Sequence, residues 1–248
     1  MENFGKILSS FNVKDELNPT IWENPESPSD AKMKEDIRLR LIEIADKFIE
    51  FLGYDIFIQD ITMTGSLSNY NWSEFSDIDL HIMYDFNESG PEKELFQDLF
   101  KLKKTLFNST HDITVKGYEV ELYVQDTNEP HISTGVYSVL YDEWIVEPSK
   151  EEVEIDTKII KEKVEQWQDM IDTVIEDIES GDEDLEEGLL KIDKLKDRLK
   201  KYRQSGLEKE GEYSYENLVF KFLRRSDYIQ KLFDFQNNFV DDRLSLAQ

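Results

Sequence analysis

Ile61-Thr-Met-Thr-Gly-Ser-Leu-Ser68, a connection from Asn69 to Phe75, and then Ser76-Asp-Ile-Asp-Leu-His-Ile82 make up the stretch that decides how the chain is read. An apolar, β-branched run ends at Gly65. After a polar and aromatic connection, a second run alternates Asp77, Asp79 and His81 with Ile78, Leu80 and Ile82. Such alternation predicts a half-buried strand whose apolar set faces a core. Period two puts Asp77 and Asp79 side by side on the other face. Adjacent carboxylates repel unless a cation lies between them. Mg²⁺ suits that place, being a hard ion that takes one or two carboxylates together with waters and phosphate oxygens. Gly65 lets backbone approach an anion closely, and Ser66 adds a hydroxyl beside exposed N–H groups at the expected start of a short helix. The pair suits a triphosphate tail.

Asp and Glu make up 55 of the 248 residues, so an acid–apolar–acid triplet recurs by chance, as at Glu119-Val-Glu121 and Glu154-Ile-Asp156. The weight therefore rests on the joint pattern of a Gly-Ser turn, a connection, and an acidic pair early in the next strand. In-line phosphoryl transfer with two metals needs a further carboxylate. Tyr118-Glu-Val-Glu-Leu-Tyr-Val124 is a candidate strand with Glu119, Glu121 and Tyr123 on one face. Glu121, central and flanked by apolar residues, is the preferred third acid; parity alone leaves Glu119 open.

Gly65-Ser66, Asp77-Ile-Asp79 and Glu121 together resemble the signature of the polymerase-β-like nucleotidyltransferase superfamily. The resemblance spans roughly residues 30 to 125. More loosely, Asn69-Tyr-Asn-Trp-Ser73, Gly135-Val-Tyr-Ser138 and the region around Gly211-Glu212 are similar to nucleotidyltransferase-like proteins of tailed bacteriophages. The resemblance implies that Asp77 and Asp79 bind both metals (Mg²⁺ or Mn²⁺). Glu121 would bind the catalytic metal and help deprotonate the acceptor, and Gly65 and Ser66 would hold the β,γ-phosphates of an NTP such as ATP. This chain has Glu at the third position, where many members have Asp. The implied reaction transfers a nucleoside monophosphate to an acceptor hydroxyl and releases pyrophosphate. Structured RNA such as tRNA, a protein hydroxyl and a small molecule all stay open as acceptors. A non-catalytic nucleotide-binding or inhibitor module that retains the fold is the alternative.

Composition narrows the partners. With 29 basic and 55 acidic residues the net charge is −26, which disfavours non-specific binding of long DNA. Lys191 to Lys209 is a basic island in this acidic chain, and Lys221, Arg224 and Arg225 fall on one side of an expected helix, where they are candidates to hold a triphosphate or acceptor phosphate. Salt bridges to the many acids are the competing reading. Absence of cysteine removes disulfides, thiol catalysis and cysteine-ligated zinc. His81, His111 and His131 have no metal-site spacing, although His81 shares the face of Asp79. No apolar run of membrane-spanning length occurs and the N-terminus lacks the form of a signal peptide, so the expectation is a soluble, cytoplasmic protein, in host cytoplasm if phage-encoded.

The expected fold class is α+β: a small mixed sheet flanked by helices, followed by an all-helical C-terminal domain. Residues 1–29 read as an irregular arm anchored by Phe11, Leu17, Ile21 and Trp22, and residues 30–148 as the catalytic domain. Within the latter, a helix capped by Ser29 or Asp30 runs to Leu52 with Ile37, Leu41, Ile44, Ala45, Phe48 and Leu52 as its buried stripe, and Gly53 stops it. A second helix spans about Glu92 to Phe107, and Lys116-Gly117 turns a hairpin. Tyr137 and Trp144 are either core aromatics or stacking surfaces for a base. Residues 149–248 carry helical stripes through Ile160, Val164, Trp167, Ile171, Val174 and Ile178, and through Leu185, Leu189, Ile192, Leu195, Leu199 and Tyr202. These two form an expected antiparallel pair. A third helix, about Tyr215 to Phe235, presents Leu218, Val219, Phe222, Leu223 and Phe233.

Overall fold

The computed structural model describes residues 2–130, 133–150, 153–181 and 184–246. The chain forms two compact units, one of Val13–Glu152 and one of Met1–Asn12 together with Val153–Gln248. The expected arm is therefore divided between them. It is also not irregular throughout, because Glu2–Ser9 is a helix, α1. Its four apolar anchors are all buried, Phe11 in the helical unit and Leu17, Ile21 and Trp22 in the sheet unit.

In the sheet unit, Trp22–Glu23 (β1) pairs antiparallel with Lys32–Met33 (β2), ahead of helix α2, Glu35–Leu52. The helix starts later than its capping residues suggest. Asp30 instead accepts the Ser27 hydroxyl at 2.9 Å, the next residues are drawn into β2, and Lys34 enters the helix with no side-chain cap. The buried stripe of α2 is the one expected, and Gly53 ends the helix in the left-handed region at φ 73°. Strands β3 (Ile58–Thr64) and β4 (Ile78–Tyr84) are antiparallel. Helix α3 (Lys93–Thr110) then crosses over to β6 (Tyr118–Asp126), which runs parallel to β4, as a helical crossover allows. The short strand β5 (Thr114–Val115) forms a hairpin with β6. Its two turn residues, Lys116 and Gly117, both have positive φ (53° and 89°), matching the right-handed twist of the strands. Strands β7 (Val136–Ser138) and β8 (Glu143–Val146) complete a mixed sheet of order β5-β6-β4-β3-β7-β8.

One face of this sheet is apolar. Ile61, Met63, Ile78, Leu80, Ile82, Val120 and Leu122 join the buried residues of α2 with Phe100 and Phe107 of α3 in a single core. Tyr137 is buried in this core and Trp144, partly buried, packs against it, as the core-aromatic reading expects. Trp22 stacks on Trp144 at 4.5 Å, Tyr137 meets both edge-on at 4.9 Å, and the Trp144 indole donates to the Ala31 carbonyl at 2.8 Å.

The helical unit contains α4 (Thr157–Ser180) and α5 (Leu185–Glu210). Trp167 meets Tyr202 and Arg198 donates to the Met170 sulfur, a falling register that makes the pair antiparallel. The stripe of α4 runs through Ile175 and Ile178 and not Val174, and on α5 the expected Ile192, Leu195 and Leu199 are buried while Leu185, Leu189 and Tyr202 are only partly so, with Gly188 and Gly206 buried as well. The third expected helix is two, α6 (Tyr215–Arg225) and α7 (Tyr228–Leu244), because Asp227 turns left-handed at φ 61° and interrupts the ladder. The break rotates the following face, so Leu232 is buried and Phe233 is 46% exposed. Among the described residues, no helix is long and apolar enough to cross a membrane.

Candidate metal centre

The sheet face opposite the core carries two polar rows. Register sets Thr64, Asp79 and Glu121 across β3, β4 and β6 in one row, and Thr62, His81 and Tyr123 in the next. Asp77 lies immediately before β4. Carboxylate oxygens of Asp77, Asp79 and Glu121 lie within 4.8 Å of one another, and all three residues are partly buried. Glu121 is directly opposite Asp79, whereas Glu119 is exposed and pairs with Thr114, so the parallel register separates two residues that parity left equivalent. Three hard oxygen donors at this spacing fit a small hard cation such as Mg²⁺ or Mn²⁺.

Gly65 adjoins the acids through conformation and space. Its φ of 79° and ψ of −164° belong to glycine alone, and a Cβ at this position would overlap the Asp79 carboxylate. Ser66 starts a single 3-10 turn, Ser66–Ser68, as expected, but its hydroxyl donates to Ser76 Oγ at 2.7 Å, and Ser76 Oγ also accepts the Ser73 N–H at 2.9 Å. That bond ties the two ends of the connection together just before Asp77. The turn is supported from outside by two contacts that no local pattern announces. The Trp22 indole donates to the Leu67 carbonyl at 2.8 Å, and Gly135 packs so closely on the Ser68 carbonyl that a Cβ would overlap it. Replacing Gly65 with Ala is expected to cost about 1–3 kcal/mol of stability through backbone strain and to weaken Mn²⁺ binding by displacing Asp79. Thermal unfolding and Mn²⁺ titration check this; unchanged values in both would remove Gly65 from the site.

Around Glu121 the second row is ordered. Tyr123 donates its hydroxyl to Glu121 Oε2, and its ring stacks on His81 at 4.9 Å and 15° with the Lys104 ammonium 4.1 Å from its centroid. Burial, then the bond to Glu121 and the nearby acidic charges, push the Tyr123 phenol well above its ordinary value, so it remains a protonated donor. His81 Nε2 is 3.1 Å from Thr64 Oγ1. Tyr123 was visible in the sequence only as a residue sharing the face of Glu121. His111, on its own helix end, stacks on Phe107, and His131 lies outside the described residues.

Lys221, Arg224 and Arg225 lie on α6 of the helical unit, whereas Asp77, Asp79 and Glu121 lie in the sheet unit. Their surroundings favour the salt-bridge reading for Lys221 and a packing contact with neutral groups for Arg225. Lys221 Nζ is 2.5 Å from Glu212 Oε2, and Arg225 donates to Ser10 Oγ at 2.7 Å and lies over the Phe11 ring; Arg224 is exposed. Burial alone would push the Glu212 carboxyl up, but the Lys221 charge and hydrogen bond, the Arg203 charge and the Asn217 amide together hold it below its usual value. A carboxylate depressed on folding contributes stability above its unfolded pKa of about 4.3, and that contribution is lost as pH falls through the lower folded value. Glu212→Gln should therefore flatten the acid limb of a stability–pH curve below about pH 5. An acid limb identical to that of the unmodified protein would show that the pairing contributes nothing.

The helical unit also has an open groove of about 450 Å³ lined by Ile175, Glu179, Asp227, Lys231, Phe235 and Asn238 among others, and none of the candidate residues lines it. Comparison of the chain with protein-family models, with curated proteins and with solved structures gives no match.

Proposed function

We propose that this protein is a metal-dependent nucleotidyltransferase whose Val13–Glu152 unit is a polymerase-β-like catalytic domain. One observation carries the reading: Asp77, Asp79 and Glu121 converge on one sheet face within 4.8 Å of one another, with a glycine of forbidden backbone geometry against Asp79. Asp77 and Asp79 would hold Mg²⁺ or Mn²⁺ together with Glu121. When bound, the metal supplies charge neutralisation at the phosphates. The turn at Gly65-Ser66 offers backbone N–H groups to the β,γ-phosphates of the nucleoside triphosphate.

In the reaction, an acceptor hydroxyl oxygen bonds to the α-phosphorus and the bond from that phosphorus to the bridging oxygen breaks. Pyrophosphate leaves with the electron pair, and the hydroxyl proton passes to Glu121 or through it to water. What the protein contributes is position and fixed charge, since the transferred group carries the chemistry itself. The acidic row also explains why an acidic chain handles an anionic substrate, because carboxylates that would repel a phosphate recruit the cation that binds it.

The test incubates the purified protein with each α-labelled nucleoside triphosphate, Mg²⁺ or Mn²⁺ and a cell extract containing RNA. Label transferred to an acceptor supports the reading, and its destination names the acceptor as RNA, protein or small molecule. A structured RNA would bind with a steep salt dependence and a small molecule with a shallow one. Metal-dependent nucleotide binding without any pyrophosphate release would replace the enzyme with a nucleotide-binding module.

A further inference from the structure

Glu121 has one more methylene than Asp77 or Asp79, and a side chain with three rotatable bonds loses more freedom when it is fixed at a metal. It also comes from a different strand, so the convergence of the three acids depends on where this longer carboxylate points. The structure holds it from one side. Tyr123, two residues along the same strand face, donates to Glu121 Oε2. The ring that carries this hydroxyl is itself fixed by stacking on His81 and by the Lys104 ammonium. His81 is in turn bonded to Thr64, which lies opposite Asp79 on β3. The chain of contacts thus runs from the strand on one side of Asp79 to the carboxylate on the other.

We infer that Tyr123 is a positioning residue for the metal centre, its phenol fixing the direction of the Glu121 carboxylate so that the three acids are preorganised before a cation arrives. The inference rests on the metal-site reading above. Groups that orient a ligand from behind typically contribute about 10–100-fold to metal affinity. The mechanism is entropic and local: without the phenol, Glu121 samples other rotamers and must be ordered when the metal binds. Tyr123→Phe removes the hydroxyl and retains the ring with its stacking partners.

The experiment titrates the full chain with Mn²⁺, reading free Mn²⁺ by electron paramagnetic resonance, in four proteins: the unmodified chain, Tyr123→Phe, Glu121→Gln, and the double variant. Tyr123→Phe should weaken Mn²⁺ binding by roughly tenfold, the lower end of that range. In the Glu121→Gln background it should have no further effect, since the two residues act as a unit. Unchanged affinity in Tyr123→Phe, or an equal loss in both backgrounds, would overturn the inference in favour of a purely structural tyrosine. If Tyr123→Phe does not fold, His81→Ala is read instead. It leaves all three acids in place and releases the ring that carries the phenol, so it should weaken binding in the same direction, whereas undiminished affinity overturns the inference. An Asp79→Asn control separates the two levels. Mn²⁺ binding lost in Asp79→Asn but intact in Tyr123→Phe removes only the positioning role. Binding absent from the unmodified chain, or indifferent to Asp79→Asn, removes the metal centre itself.

Discussion

On the proposed function, Asp79→Asn is expected to lower metal-dependent nucleotidyl transfer by roughly a thousandfold, because the several kcal/mol of charge stabilisation at the phosphates would depend on the cation it would help hold. Asp79 is the central acid, paired with Thr64 on β3 and Glu121 on β6, so no neighbour can take over its place in the row. Asn preserves the shape of the side chain and removes its charge, which relieves repulsion among three carboxylates in the metal-free protein. Stability in the absence of metal should therefore hold or rise while Mn²⁺ affinity and transfer fall together. Transfer by Asp79→Asn at the unmodified rate would place the chemistry elsewhere.

Trp22→Ala should destabilise the sheet unit by about 3–5 kcal/mol, the usual range for deleting a buried Trp. Trp22 is 1% exposed, stacked on Trp144 and edge-on to Tyr137, so its removal leaves a cavity that rigid aromatic neighbours fill poorly. It also strips the Leu67 carbonyl of its indole donor, in the turn that presents Gly65 and Ser66. The loss should appear as an earlier urea midpoint by circular dichroism, together with faster hydrogen exchange at the 65–68 turn. A shift smaller than about 1 kcal/mol would mean that the aromatic cluster collapses around the gap.

Much of the local structure was legible because it follows from period and from single residues with special backbone needs. The six-residue stripe of α2 came from helical spacing, the strand holding Asp79 from alternation, and the Lys116-Gly117 hairpin and Gly53 stop from positive φ. Errors fell where a distant partner overrode a local preference. Asp30 did not cap a helix because the residues after it pair with β1. The α6–α7 break at Asp227 has no Gly or Pro to announce it, and so Phe233 was read as buried when it is not.

The candidate centre divides in the same way. Alternation along one strand is sufficient to put Asp77 and Asp79 on a common face, and the glycine before the turn marks a backbone that no other residue adopts. Sequence by itself thus determined the acidic pair, the turn and the polar face. Sequence preferred Glu121 to Glu119 for its central place between apolar residues, and the parallel register of β6 against β4, which period two leaves undetermined, is what sets Glu121 opposite Asp79. Tyr123 against His81, Trp22 beneath Leu67 and Gly135 against Ser68 likewise join residues far apart in the chain or on neighbouring strands. Only the tertiary structure decides them, because hydrogen bonds and close packing depend on distance in space, and one strand's pattern carries no information about which neighbour lies beside it.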